Sequence, residues 1–268
     1  MSTKKTSLLL FFVINISISY AQIGGLSASK LGTLCTSTVP EGTIEFEPFF
    51  NYATSTKIFD SDGKIQSLFA SADSTMKFSA SGLRFSYGLM KNMELGVSLP
   101  IDVSEIRFGA KYKLPMQGKL SMGLLAGYHT IVGNQIYNRK NAIHESAPSV
   151  FAGLVMTYEF NPRLSVDFDA QYQKHTHNTI EGHNQGIYLN SDIGYYFLEK
   201  IDFIIGLNFN YQCYDARSND SYLLTLNTGV AIKRAKNFIL VLNAPFDILG
   251  KNEFQTKGFG LALTILLD

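Results

Sequence analysis

The sequence predicts an all-β protein: a transmembrane, antiparallel, up-and-down β-barrel of about 12 strands, preceded by a cleaved signal peptide. Apolar residues recur at every second position through most of the chain, as at Ile106, Phe108 and Ala110. The alternating segments are about 9–14 residues long, enough for a tilted strand to cross a bilayer. Short and long connections also follow one another along the chain, which is typical of outer-membrane barrels.

Composition excludes several other classes of protein. The charged fraction is 17%, below the ~25% typical of soluble domains. A mean hydropathy of +0.05 is too low for a bundle of membrane helices. The formal net charge of +1 does not fit a basic nucleic-acid-binding protein. Two cysteines are too few for a disulfide scaffold.

The first 21 residues have the three parts of a secretory signal peptide. Lys4 and Lys5 precede an apolar run over residues 8–18, and Ser19-Tyr20-Ala21 forms a small-x-small cleavage site. A transmembrane anchor is the alternative, but the apolar run is too short for one. We therefore expect cleavage after Ala21 and a mature chain that works outside the cytoplasm.

Twelve alternating segments follow in order. The pattern changes phase near Gly82, which predicts a β-bulge there. The predicted strands cover residues 43–56, 75–88, 93–101, 104–114, 119–131, 149–160, 163–174, 186–197, 201–214, 221–233, 237–245 and 256–267.

The connections favour a membrane barrel over a soluble sandwich. Tight turns are predicted at residues 88–92, 115–118, 161–163, 198–200 and 234–236. Longer links are predicted at residues 57–74, 133–148, 175–184, 215–220 and 246–254, with a short exception at 102–103. An even strand number places both termini on the periplasmic side. The apolar face is too dense in Leu, Ile, Phe and Tyr to be buried between two sheets of this size.

The chain therefore divides into three parts. Residues 1–21 are the signal peptide, residues 22–41 are a periplasmic or plug-like N-terminal segment, and residues 42–268 form the outer-membrane β-barrel. Residues 22–41 are rich in Gly, Ser and Thr and carry no strong pattern. They could lie in the barrel lumen from the periplasmic side or form a loose periplasmic tail.

The polar face of the strands should line the lumen, and it carries both signs of charge. A paired ion network filling a narrow barrel is the favoured interpretation. A constriction that sorts solutes by charge is the alternative. The predicted lumen-lining residues are Glu45, Glu47, Arg84, Glu94, Glu105, Arg107, Lys111, Lys113, Asp167, Asp169, Asn208 and Asn210.

Catalytic and metal sites have weaker support. His175, His177 and His183 share one predicted loop and could bind a divalent metal, although a solvated loop is favoured. His129 is predicted to face inward, and Ser121 on the same strand is too far away to contact it. We therefore expect no catalytic residues, no metal site, no cofactor and no enzyme activity.

One stretch resembles a known family. Residues 87–100, Tyr-Gly-Leu-Met-Lys-Asn-Met-Glu-Leu-Gly-Val-Ser-Leu-Pro, are similar to a turn and strand of the outer-membrane proteins grouped as "MetA-pathway of phenol degradation". Residues 106–114 and 39–45 resemble the next strand and the entry to the first strand of that family. The family's glycine-rich link between its two strands is here shortened to Asp102-Val103-Ser104.

The resemblance implies a protein of the Gram-negative outer membrane that transports small, often hydrophobic or aromatic compounds. We expect a monomeric channel or transporter with a narrow polar lumen. Its partners would be outer-membrane lipid, the barrel-assembly machinery and a small-molecule solute, without nucleic acid. An outer-membrane lipid-modifying enzyme and a structural or adhesive barrel with a sealed lumen are the alternatives.

Overall fold

The structure is a computed structural model that describes residues 24–27, 31–71, 74–132, 148–176, 183–214, 220–235 and 237–267. The predicted signal peptide lies outside these residues. Within the described ranges, no helix is long and apolar enough to cross a membrane.

The regular elements of the described chain are antiparallel β-strands, most of them longer than the ~5–6 residues usual in soluble sheets. They are β1 Ile44–Phe59, β2 Ile65–Ser67, β3 Met76–Met90, β4 Met93–Pro100, β5 Glu105–Lys113, β6 Leu120–Ile131, β7 Ser149–Asn161, β8 Leu164–His175, β9 His183–Leu198, β10 Ile201–Tyr214, β11 Ser221–Ala235, β12 Phe238–Lys251 and β13 Glu253–Leu267.

Twelve of these strands close into a barrel. Each strand from β3 to β13 pairs with the next, and β1 pairs with both β3 and β13. The three-residue β2 pairs only with the far end of β1, beyond the region that pairs with β3. Closure leaves no strand edge unpaired around the ring, as hydrocarbon requires. The predicted twelve-strand barrel is confirmed.

Side chains alternate between the two faces of the wall. On β10, for example, Phe203, Ile205 and Leu207 are exposed, whereas Ile204 and Asn208 are buried. The outer face is apolar in nearly every strand, as expected of a barrel wall that contacts lipid. This exposed apolar face and the closed fold confirm the predicted outer-membrane location.

The predicted β-bulge at Gly82 is wrong. β3 pairs with β1 in one continuous register from Met76 to Tyr87. The phase change in the sequence instead reflects a change in what faces inward. Phe78 on the extracellular half of β3 is a buried interior side chain, and its ring lies 5.9 Å from that of Phe254.

The predicted long link over residues 246–254 is also wrong. β12 continues to Lys251 and β13 begins at Glu253, so Asn252 alone turns the chain, with a φ of 53°. Pro245 lies inside β12, which obscured the strand because proline cannot donate a hydrogen bond to a ladder.

Residues 24–27 and 31–39, called here the interior segment, lie inside the ring of strands. Leu26, Thr33 and Leu34 have at most 1% of their surface exposed. The chain then leaves the lumen at the periplasmic end, where the Gly42 N–H donates to the Gly88 carbonyl at 2.8 Å, and enters β1.

Candidate functional site

The interior segment is held by a fully buried ion pair. Lys111 on β5 lies 3.1 Å from Glu94 on β4, and neither side chain is exposed. Glu94 accepts hydrogen bonds from the backbone N–H groups of Ser27 and Val39, both at 2.8 Å. The Lys111 ammonium donates to the carbonyls of Ser27 and Cys35 at 3.2 and 3.1 Å. The pair is thus completed by backbone groups, as a buried charge requires.

Wall carboxylates on the opposite side hold the middle of the segment. Asp192 on β9 accepts from the backbone N–H of Leu31 at 2.9 Å. Asp169 on β8 accepts from the N–H of Leu34 at 2.8 Å. These side chains thus satisfy backbone donors of a buried segment, as burial requires.

Apolar contacts seal the space between these polar anchors. Leu26 and Leu34 join a buried cluster with Leu125, Val155 and Tyr188 of the wall. Leu31 packs against a second cluster on β10 and β11, formed by Ile204 and Ala231. The segment therefore crosses the lumen from the β4–β5 wall to the β9–β11 wall.

A glycine pair permits the closest approach of segment and wall. A Cβ on Gly25, whose φ is 74°, would overlap the backbone of Gly96 and Val97. A Cβ on Gly96 would in turn overlap the Gly25 carbonyl. The Ser86 hydroxyl donates to that same carbonyl. Only glycine at both positions lets the two backbones meet.

A second charge cluster lies on β1 and β3. One terminal nitrogen of Arg84 contacts Glu45 Oε1 at 2.9 Å and Glu47 Oε2 at 2.7 Å. The Thr264 hydroxyl donates to Glu47 Oε2 at 2.5 Å. Both carboxylate side chains are 12% exposed, so water reaches this cluster although it does not reach Glu94.

A third cluster lies toward the extracellular end. Arg107 contacts Glu105 at 2.7 Å, and His129 Nε2 lies 3.0 Å from the other oxygen of the same carboxylate. His129 Nδ1 lies 3.5 Å from the hydroxyl of Ser149, which is fully buried. Sequence parity placed His129 inward but did not bring Ser149, on the neighbouring strand, beside it.

Amide side chains link the strands of the second half of the barrel. Asn190 donates to Asp169 at 2.9 Å, and Asn208 donates to Asn190 at 2.8 Å. Asn227 donates to Asn208. With Asn243 and Asn51 on the next inward positions around the ring, these residues form what we call the asparagine row.

The remaining predicted residues have other surroundings. Asp167 is buried and accepts from the Thr157 hydroxyl at 2.6 Å. Lys113 is half-buried at the periplasmic end of β5, and Asn210 is half-buried two residues beyond Asn208.

The structure describes only part of the predicted histidine loop. His175 is buried at the end of β8. His177 lies outside the described residues, as does the side chain of His183. The described residues contain no group of three metal-ligating side chains placed to hold an ion.

Comparison with known proteins gives the same architecture. A crystal structure of an outer-membrane channel from Pseudomonas putida F1 superposes with a TM-score of 0.71 at 13% identity, covering 87% of this chain and 98% of that one. The NanC porin superposes at 0.57 with 5% identity, covering 82% and 98%. The KdgM porin superposes at 0.50 with 14% identity, covering 81% and 98%. These likenesses show the fold.

A search of curated protein sequences finds no match. A family model, described as "Putative MetA-pathway of phenol degradation", matches residues 79–263. This range covers more than two thirds of the chain and includes residues 87–100 and 106–114, two of the three stretches that carry the sequence resemblance. The chain therefore belongs to this family.

Proposed function

We propose that the protein is an outer-membrane channel or transporter for small solutes, hydrophobic or aromatic ones as the family resemblance implies. Solutes would pass through a narrow polar lumen that the interior segment plugs. Twelve strands leave room for a narrow passage at most, between filled eight-stranded and open sixteen-stranded barrels.

The observation that carries this proposal is the contrast between two kinds of lumen charge. Glu94 and Lys111 beside the interior segment are 0% exposed, whereas Glu105 and Arg107 are 17% and 18% exposed. A barrel with only a structural role would need no water-accessible charges within its wall, since apolar side chains fill an interior at lower cost. The superposable structures are an outer-membrane channel and two porins, which supports the same function.

We further propose that the protein acts as a monomer and is inserted by the barrel-assembly machinery. The predicted lumen-lining residues then have two roles. Glu94, Asp169 and Lys111 anchor the plug, whereas Glu45, Glu47, Arg84, Glu105 and Arg107 line the water-accessible part.

Single-channel recording in planar bilayers tests the proposal. The mature wild-type protein should give small discrete steps, and a Glu94→Gln, Asp192→Asn double variant should give larger ones. Each substitution replaces a carboxylate, which accepts backbone N–H groups of the interior segment, with a neutral amide that is a weaker acceptor. Glu199→Gln, in the exposed turn between β9 and β10, is the matched control and should conduct like the wild type.

Silence from both wild type and double variant, in preparations that show a folded, heat-modifiable barrel, would contradict the proposal. It would favour the sealed structural or adhesive barrel. Equal steps in wild type and double variant would retain the channel but reject the interior segment as its plug.

A further inference from the structure

We propose that the amide oxygens of Asn227, Asn243 and Asn51 form a binding site for the hydrogen-bond-donating head group of a solute, a hydroxyl or an ammonium. The inference rests on the proposed function, because it names the chemistry of the solute that enters this lumen. It follows from the direction in which the asparagine row is hydrogen-bonded.

Asp169 sets that direction. An ionised carboxylate can only accept hydrogen bonds, and Asp169 accepts from Gln171 at 2.7 Å, from Asn190 at 2.9 Å and from the Leu34 N–H at 2.8 Å. Asn190 must therefore turn its NH₂ group toward Asp169 and its oxygen toward β10. That oxygen accepts from Asn208 at 2.8 Å.

Asn227 ends this chain with an acceptor that has no partner among the described residues. Its NH₂ group donates to Asn208 on β10, so its Oδ1 is the amide atom left without a hydrogen bond. Asn227 is fully buried, and its Oδ1 accepts no hydrogen bond from the described part of the chain. A buried acceptor left unpaired destabilises the fold unless a donor outside the protein satisfies it.

Two more amide oxygens, on β12 and β1, meet at Gly260 further around the ring. Gly260 on β13 is paired directly with Asn243 on one side and Asn51 on the other. A Cβ on Gly260 would overlap the Oδ1 atoms of both residues. Asn243 also lies diagonally across from Asn227, because it pairs with Gly229. Because Gly260 has no side chain, the amide oxygens of Asn243 and Asn51 can approach each other there, and a hydrogen-bond donor placed between them would relieve the repulsion of two acceptors.

The surroundings suit a small apolar body attached to the donor group. Phe49 and Ala53 lie on the same face of β1 as Asn51, two residues before it and two residues after it. The Phe49 ring covers Gly82, and Ala53 is buried. Neither side chain offers a donor to the amide oxygens. A solute with one hydroxyl or ammonium group and a small apolar body complements both features.

Binding of three soluble probes to the mature protein in lipid nanodiscs tests the site. Benzyl alcohol and benzylammonium carry a donor, whereas benzyl methyl ether has a similar body and only an acceptor. Titration calorimetry, corrected with empty nanodiscs, should show roughly tenfold tighter binding of at least one donor probe than of the ether. Preference for the alcohol assigns a neutral hydroxyl head group, and preference for benzylammonium assigns a cationic one.

Two independent variants address the site itself. An Asn51→Leu, Asn243→Leu double variant removes the oxygens, and Gly260→Ala fills the space between them. Each should reduce donor-probe affinity to the level of the ether. Asn161→Leu, an equivalent change at the exposed periplasmic end of β7, should leave it unchanged.

Equal binding of all three probes, or donor binding that survives both variants, would overturn the site. A wild-type protein that conducts in planar bilayers but binds no probe would overturn it while leaving the channel function intact. A silent protein that still distinguishes donor probes from the ether would retain the site and reject the channel.

Discussion

At the scale of single residues, the lumen is organised by buried charges whose partners come both from neighbouring strands and from the interior segment. Lys111 illustrates this, because its ammonium contacts Glu94 on the neighbouring strand and two carbonyls of the interior segment. Removing Glu94 would leave the Lys111 charge buried without its counter-ion, which costs roughly 3–5 kcal/mol. The interior segment therefore supplies part of the hydrogen bonding that stabilises these buried charges.

The reactivity of Cys35 reports on the position of the segment. Burial raises the pKa of the Cys35 thiol, and the thiolate is the form that reacts. In a Cys213→Ser background we expect maleimide labelling at pH 8 to be slow in the folded protein and complete after denaturation. Adding Asp169→Asn, which weakens the anchor at Leu34, should accelerate labelling. Equal rates in folded and denatured wild-type protein would show that Cys35 is not buried.

At the level of residues, alternation alone predicts which way a strand side chain faces. It placed Glu94, Lys111 and Asp169 on the polar face, and the structure finds these side chains buried inside the ring. It could not identify their partners, because Ser27, Val39 and Leu34 contribute backbone groups. Such contacts do not depend on the type of amino acid, so the sequence does not indicate them. Ser149 was missed for another reason, since its contact with His129 depends on strand register.

At the scale of elements, period-two alternation predicts a strand only while its two faces differ in polarity. All twelve barrel strands met this condition over most of their length. β3 departs from it, because Met76 and Phe78 face inward and replace the polar residues expected there. β12 breaks the alternation near its end, because its pairing with β11 shifts register between Asp247 and Leu249. The sequence therefore predicted a long link where Asn252 alone makes the turn.

The turn between β4 and β5 contains a strained residue. Val103 has a φ of 52°, a left-handed conformation that costs a β-branched residue about 1–2 kcal/mol. Val103→Asn should therefore raise the midpoint of heat-induced unfolding, read as the gel shift between folded and unfolded barrel. Ile101→Asn in the same turn, where φ is not positive, is the control. A lower midpoint for Val103→Asn would show that the strain is absent.

At the scale of the whole molecule, stability comes from a closed ring whose outer face is matched to lipid. β1 and β13 join the two ends of the chain over the full length of both strands, so no open edge remains. Outer-face side chains such as Leu207, Leu154 and Leu261 are 41–47% exposed. In water, an apolar surface of this kind would promote aggregation.

The loss of stability caused by a charged residue on this face should depend on its depth in the membrane. Leu261 is near the middle of β13, and Leu267 is at its periplasmic end. Leu261→Arg should destabilise the inserted barrel by roughly 2–4 kcal/mol, and Leu267→Arg by about 0–1 kcal/mol. Refolding into lipid vesicles at graded urea concentrations measures both. Equal costs at the two positions would contradict the inferred orientation of the strand in the bilayer.

The Glu94 carboxylate has a consequence for how the lumen would open. It binds Ser27 with both oxygens and Val39 with one, so a single side chain ties together two points twelve residues apart in sequence. Between these two points, Asp192 and Asp169 hold Leu31 and Leu34 to the opposite wall. Losing either of these middle contacts leaves both ends of the segment attached, whereas losing the Glu94 contacts releases both ends at once. Opening should then be all-or-none, with one discrete change in current rather than a graded series of sublevels.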